Sequence, residues 1–206
     1  MKRCIAVLMT MVVAVLCCSA AFAEGQFALR CGILFGDSQT GVAARETELT
    51  RIEEERLAYE GTLWGYDSAQ MVYLFDDNGL LTELNESFGK STRDEETTKA
   101  VYADIRAQLR ALYGEPLQTE GSTPAHPIAG MGYKAMVLFV YTIGALDGCE
   151  GECYDYSEWV VDCDGYHVKI DLTAYYVKNN NNGTESYGVG LSFKKFTDAD
   201  LEAAGK

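Results

Sequence analysis

The amino-acid sequence predicts an α+β protein: an antiparallel β-sheet with two main helices packed on one face and a C-terminal β-meander. Three observations carry this. Met71 to Phe75 is β-branched, aromatic and apolar; it stops at Asp76-Asp77-Asn78-Gly79 and returns as an alternating stretch to Phe88, the pattern of a hairpin. Val101, Ile105, Leu109 and Leu112 then recur at helical spacing before Gly114 and Pro116. From Trp159 to Phe196, strand-forming runs are separated by Asp164-Gly165 and by four asparagines with Gly183.

Residues 1–23 read as a secretory signal peptide. Lys2 and Arg3 precede an apolar run from Ile5 to Cys18, and Ala21-Phe22-Ala23 supplies an A-x-A cleavage site. The run is too short for a comfortable membrane span. A lipid anchor at Cys17 or Cys18 is the alternative, although Leu16 and Cys17 stand where a small residue is required. The expected organisation is thus a signal peptide over 1–23 and a single α+β domain over 24–206. Residues 24–116 hold helix and hairpin units, and 117–206 form a strand-rich half. The expected location is secreted or extracytoplasmic, with no stable membrane span in the mature chain.

The elements follow in order. Phe27 to Gly36 reads as an edge or first strand. Ser38 is a helix N-cap, with Val42, Ala43, Glu46 and Leu49 at helical spacing behind it and an end anywhere from Thr50 to Glu55. Arg56 to Gly65 is a strand with Leu57, Tyr59 and Leu63 on one face. On the return strand of the hairpin, Leu80, Thr82, Leu84, Glu86 and Phe88 share one face, opposite Glu83, Asn85 and Ser87. Thr92 and Glu95 have capping-box spacing, Asp94 to Glu96 suit the positive end of the helix dipole, and Gly114 suits a left-handed C′ position. Glu115 to Gly132 reads as loop, Lys134 to Ile143 as a buried strand, and Asp147 to Ser157 as an acidic loop. Thr197 and Asp200 have the spacing to open a short terminal helix.

Removing residues 1–23 takes two of the 17 basic residues and none of the 31 acidic ones, leaving a net charge of −16 on 183 residues. That balance argues against nucleic acid and anionic membrane as partners. Cys31, Cys149, Cys153 and Cys163 remain, an even number that suggests two disulfides in an oxidising compartment; Cys149–Cys153 as a staple with Cys31–Cys163 is the leading pairing. Zinc would need a second cysteine pair, which the chain lacks.

Some of these residues resemble those of known families. Gly36-Asp37-Ser38 with Val42, the run Tyr73 to Leu80, and Tyr113-Gly114-Glu115-Pro116 resemble the punctuation of outer-membrane-assembly lipoproteins of SmpA/OmlA type and of β-lactamase inhibitor proteins. Leu29 to Gly36 is similar to uncharacterised secreted bacterial proteins that open with LR-x-G-I-x-F-G. The resemblance covers residues 27–116. It implies surface-mediated binding without catalysis and carries over no catalytic residue.

Signatures of chemistry are sparse. The two histidines sit on a strand (His167) and in a loop (His126). There is no G-x-S-x-G elbow, no phosphate loop and no H-E-x-x-H. Asp147, Glu150, Glu152 and Asp155 concentrate oxygen ligands as candidates for weak calcium binding, beside Tyr154, Tyr156 and Trp159 as candidates for protein contact. No cofactor is expected. The expected function is an exported, non-enzymatic binding or interaction module of the bacterial cell envelope or exterior, with a protein or envelope partner. The alternative is a carboxylate-dependent hydrolase of glycan or cell-wall substrates, which requires cleft-lining acids with a raised pKa.

Overall fold

The computed structural model describes residues 25–46, 49–53, 56–119 and 149–200, with backbone alone at 49–53, 118–119 and 149–152. Among these residues eight antiparallel strands form one sheet in the order β1-β2-β3-β4-β8-β7-β6-β5. The strands are β1 (Leu49–Glu53), β2 (Arg56–Leu63), β3 (Tyr66–Phe75), β4 (Leu81–Ser87), β5 (Gln118–Thr119), β6 (Cys149–Cys163), β7 (Tyr166–Asn179) and β8 (Thr184–Phe196). Two helices accompany them, α1 (Gln39–Arg45) and α2 (Glu95–Tyr113). The α+β class and the antiparallel sheet are as the sequence predicts. No helix among the described residues is long and apolar enough to cross a membrane.

Register carries the core across the sheet. Leu57, Tyr73, Leu84, Phe193, Ile170 and Trp159 are successive cross-strand partners, and every one is buried. The neighbouring row runs Tyr59, Met71, Glu86, Leu191, Leu172 and Ser157, also buried. The charged member of that row is Glu86, 5% exposed. Helix α2 packs against β6, β7 and β8 through Val101, Tyr102, Ile105 and Leu109. Its Tyr102 hydroxyl lies 2.7 Å from Ser157 Oγ, and Arg106 Nε donates to the same oxygen at 3.0 Å.

Several elements differ from the sequence expectation. Phe27 to Gly36 is a folded-back loop around a 3-10 turn at Arg30–Gly32, closed by an Ala28–Leu34 bridge. Cys31 and Gly32 take positive φ and reverse the chain, so the alternation of Phe27, Leu29 and Ile33 buries a loop instead of one face of a strand. Helix α1 is capped by the Ser38 side chain as expected, but ends at Arg45, where Glu46 turns extended and buries its carboxylate. The mixed-charge stretch beyond it supplies β1, a sheet edge, where charge discourages pairing with foreign strands.

In the central hairpin the turn closes through Gly79 N–H donating to the Asp76 carbonyl, with Gly79 at φ 72° and Asn78 outside the positive-φ set. Asp76 Oδ1 accepts from the backbone N–H of Asn78 and of Leu80, which holds its carboxyl below the usual range. A bulge follows: Phe75 pairs with Leu81 and Leu74 with Glu83. The extra residue flips the strand's start, so Leu81 is buried and Leu80 is 40% exposed. Asp94, not Thr92, caps α2, in a reciprocal box with Thr97. Thr92 is instead buried and donates to the Tyr187 carbonyl at 2.7 Å. Leu112 lies off the buried stripe at 39% exposure; the stripe consists of Thr98, Val101, Tyr102, Ile105 and Leu109. Gly114 has φ 83° and ψ −162°, a positive-φ stop outside the left-handed helical region.

Residues 149–157 are the first part of β6, paired with β7 except at a bulge at Tyr154, and not a loop. The hairpin at Asp164-Gly165, the asparagine turn at Gly183 and the Thr197–Asp200 capping pair all form as expected. Residues 1–23, the 134–143 stretch, Asp147 and His126 lie outside the described residues.

Candidate functional site: a polar pocket at the β2–β3 hairpin

The β2–β3 turn is a two-residue reversal at Trp64-Gly65, flanked by the Leu63–Tyr66 pair, with both central residues at positive φ (53° and 91°). Glycine takes this conformation freely; tryptophan does not. Two hydrogen bonds hold Trp64 there. Its indole N–H donates to Glu86 Oε2 at 2.7 Å, and its carbonyl accepts from Gln108 Nε2 at 3.2 Å. A few residues on, Ser68 also has positive φ (58°), beside an irregular register between Gly61 and Leu63. Two non-glycine residues in this region within one hairpin amount to roughly 1–3 kcal/mol of backbone strain each, and such strain gathers where sites are built.

Between this hairpin, the 3-10 turn and the end of α1 lies a pocket of about 500 Å³. Small-molecule sites span roughly 300–1,000 Å³. Arg30, Glu46, Tyr59 and Met71 line its inner wall; Glu60, Thr62, Asp67 and Ser68 line its outer part. Glu46, at the C-cap of α1, has a side chain only 3% exposed. Arg30 Nε approaches its Oε1 at 3.1 Å, and the Tyr73 hydroxyl donates to the same oxygen. Burial, then the bond to Glu46, pushes the Tyr73 phenol far above its ordinary value. Arg30 Nη1 also meets Met71 Sδ. On the outer side Lys90 pairs with Glu60, holding that carboxyl below its usual range, and Thr62 Oγ1 donates to Asp67 Oδ1 at 2.7 Å.

Two buried polar groups lie behind this pocket. The Tyr59 hydroxyl is buried and has no hydrogen-bond partner among the described residues. Leaving such a group unsatisfied costs roughly 1–3 kcal/mol. Burial, with the Glu46 charge second, raises its pKa. Behind the wall sits Glu86, 5% exposed. Burial pushes its carboxyl up to about 7, against the opposing pull of the Trp64 bond and the Arg30 charge, with Glu46 adding to the rise. Two buried acids and one buried-side arginine thus form an electrostatically coupled group under the hairpin.

The residues singled out from sequence are dispersed. Tyr156 and Trp159 are buried in the sheet: the Trp159 indole donates to the Gly114 carbonyl at 2.9 Å, and the Tyr156 hydroxyl donates to Glu158 and Asp171, both at 2.6 Å. Neither is available for contact. Tyr154 is half-buried, stacked on Tyr176 at 6.4 Å, with the Lys99 ammonium 5.3 Å from its ring centroid. Glu150 and Glu152 lie on the backbone of β6, and Asp155 is half-buried on the same strand. Among the described residues no group of three His, Cys, Asp or Glu side chains could hold a metal ion. Cys31 and Cys163 are free thiols, so the Cys31–Cys163 bridge is not made. Cys149 and Cys153 stand four residues apart on one extended strand. At about 3.3 Å per residue their Cα atoms are roughly 13 Å apart, beyond the ~7 Å a disulfide can span.

No family model matches the chain, and no curated protein does. Among solved structures, the crystal structure of a DUF4309 family protein (YjgB) from Bacillus subtilis subsp. subtilis str. 168 is similar at 12% identity and a TM-score of 0.34, over 82% of this chain and 88% of that one. Those figures assign neither family nor function.

Proposed function

We propose that the protein is an exported, non-enzymatic binding module of the cell envelope or exterior, and that the pocket at the β2–β3 hairpin holds a polar group of its partner. In this reading residues 1–23 are the export signal. One observation carries the proposal: Arg30 and the buried Glu46, paired at 3.1 Å with the Tyr73 hydroxyl donating to Glu46 from behind, line a polar pocket of about 500 Å³. The pair, with the Glu46 side chain 3% exposed and that of Arg30 31%, adds little net stability, because desolvation of the carboxylate offsets the attraction. The same reading places both helices on one face of the sheet. Its support is that Glu46, at the end of α1, bonds Tyr73, while α2 bonds Ser157, and these partners lie in adjacent cross-strand rows of buried residues.

The test is recovery from the native envelope with tagged wild type and Asp67→Lys, which places a cation at the pocket rim. A species retained by wild type and lost by the variant supports the reading; identical retained sets refute it.

A hydrolase has one observation in its favour, the Glu86 carboxyl at about 7 near Glu46. Glu86, however, is absent from the pocket wall and gives its oxygen to Trp64. Cleavage of dye-labelled wall glycans by wild type and not by Glu46→Gln would move the assignment to that class.

A further inference from the structure

We infer that the Trp64–Gly65 turn is a proton-governed lid over the Glu86 carboxyl: it stays shut while Glu86 holds its proton and opens to water once that proton has passed to solvent. This lid operates whatever the neighbouring pocket binds. Glu86 lies on the buried face of β4, between Met71 of β3 and Leu191 of β8. Among the described residues its one hydrogen-bond partner is the Trp64 indole N–H. Met71 and Leu191 are fixed in continuous strand ladders, whereas Trp64 belongs to a two-residue turn with both residues at positive φ. The turn is therefore the part of the cover with backbone strain to release. Trp64 is half-buried and Gly65 beside it is exposed, so water is one residue away. Helix α2 tethers the shut turn: Gln108 donates to the Trp64 carbonyl at 3.2 Å, and Asp104 accepts from the Tyr66 hydroxyl at 2.9 Å.

The groups facing Glu86 set the direction of the response. The hairpin brings the Trp64 indole and the 3-10 turn the Arg30 guanidinium, and both favour the carboxylate. The end of α1 brings Glu46, whose charge opposes it. From β3 come Met71 and the Tyr73 phenol, which donates to Glu46; from β8 comes Leu191, which is apolar. Burial outweighs the two favourable partners and raises the carboxyl from 4.5 to about 7. The covered state thus holds the proton more tightly than a state in which water reaches Glu86, and a rising pH favours the open lid. With the opened carboxyl back at its ordinary value, the ratio of open to covered molecules grows roughly 150-fold between pH 4.5 and 8. Thr62 and Asp67, on either side of the turn and bonded to one another at 2.7 Å, line the outer pocket, so an open turn also reshapes the pocket mouth.

The chain has two tryptophans, and the second, Trp159, is buried with its indole donating to the Gly114 carbonyl. NMR of the full chain follows exchange of each indole N–H with water from pH 4.5 to 8, in wild type and in Glu86→Gln. Trp64 should exchange faster than Trp159, because the lid opens without global unfolding. The wild-type rate at Trp64, divided by that of Glu86→Gln so that the intrinsic exchange chemistry cancels, should rise roughly 150-fold across that range. Equal exchange at the two tryptophans, or a flat ratio, overturns the inference. A second variant leaves the acid in place: Trp64→Gly suits the positive φ of the turn and removes the cover. The Glu86 titration midpoint, read from its side-chain carbon shift, should then fall from about 7 towards 4.5. A midpoint that stays near 7 shows that Trp64 is not the cover, and the lid is overturned even where Glu86→Gln fails to fold.

Discussion

Replacing Glu86 by Gln keeps an oxygen to accept the Trp64 indole N–H and removes the charge. Burial raises the Glu86 carboxyl from 4.5 to about 7. Between those values the folded chain retains a proton that the unfolded chain has released. Stability from this group is therefore full below about pH 4.5 and falls as the pH rises towards 7, above which the ionised carboxylate sits in the core. At 1.36 kcal/mol per pH unit, a rise of roughly 2.5 units costs on the order of 3 kcal/mol. Glu86→Gln should thus match wild type at pH 4.5 and exceed it by up to about 3 kcal/mol at pH 8. For a domain of this size that is on the order of 10 °C in Tm. Urea unfolding of both proteins at pH 4.5, 6, 7 and 8.5, followed by tryptophan fluorescence, measures it. Parallel pH profiles would show that Glu86 titrates normally, and the argument that it is a desolvated acid under the hairpin would fail.

Three further expectations concern other parts of the molecule. His167 Nδ1 lies 2.7 Å from Asp162 and Nε2 lies 3.3 Å from Asp198. The Asp162 bond, more than the Asp198 one, raises its pKa above 6.5. The stability it adds is present below pH 6.5 and lost as pH climbs past the raised value. In an NMR titration Asp162→Asn should lower the midpoint, and an unmoved midpoint contradicts the assignment. A Cβ at Gly188 would overlap the Tyr175 ring; Gly188→Ala should cost about 1–3 kcal/mol. The loss should disappear in a Tyr175→Ala background, so a cycle with no coupling rejects it. Asp94→Ala removes the α2 cap and should cost about 1 kcal/mol in chemical unfolding, more than Ser91→Ala; equal effects would mean that the cap contributes nothing.

Strands with clear period-2 patterning were legible in the sequence, as were the Ser38 cap, the Asp164-Gly165 turn and the core face of α2 at Val101, Ile105 and Leu109. What escaped has identifiable physical causes. The bulge at Leu81–Glu83 depends on pairing with β3 and leaves no local mark, so the choice between Leu80 and Leu81 was invisible. The segment at 27–36 alternates like a strand, but Cys31 enters positive φ, which no cysteine advertises. The acidic run at 147–157 read as loop because its charge suggested solvent. In the structure Tyr156 and Glu158 answer one another within the sheet. The pocket was missed because Arg30, Glu46, Tyr59 and Asp67 come from four separate segments. One signal was present: Glu86 falls on the apolar face with Leu84 and Phe88, and an acid at a core position invites a search for its partners.

The strand order has a consequence for how the chain assembles. Strands β1 to β4 each pair with their neighbour in sequence, and so do β6 to β8. The two ladders meet along one seam, where Glu83 to Ser87 align with Gly190 to Lys194. Each ladder can zip from its own turns, whereas the seam must draw together residues separated by most of the domain, which is slow in proportion to the loop it closes. We therefore expect joining of the two ladders to limit refolding. Leu84→Ala, on the seam, should retard refolding more than Leu57→Ala, far from it, and equal retardation would refute this order of events.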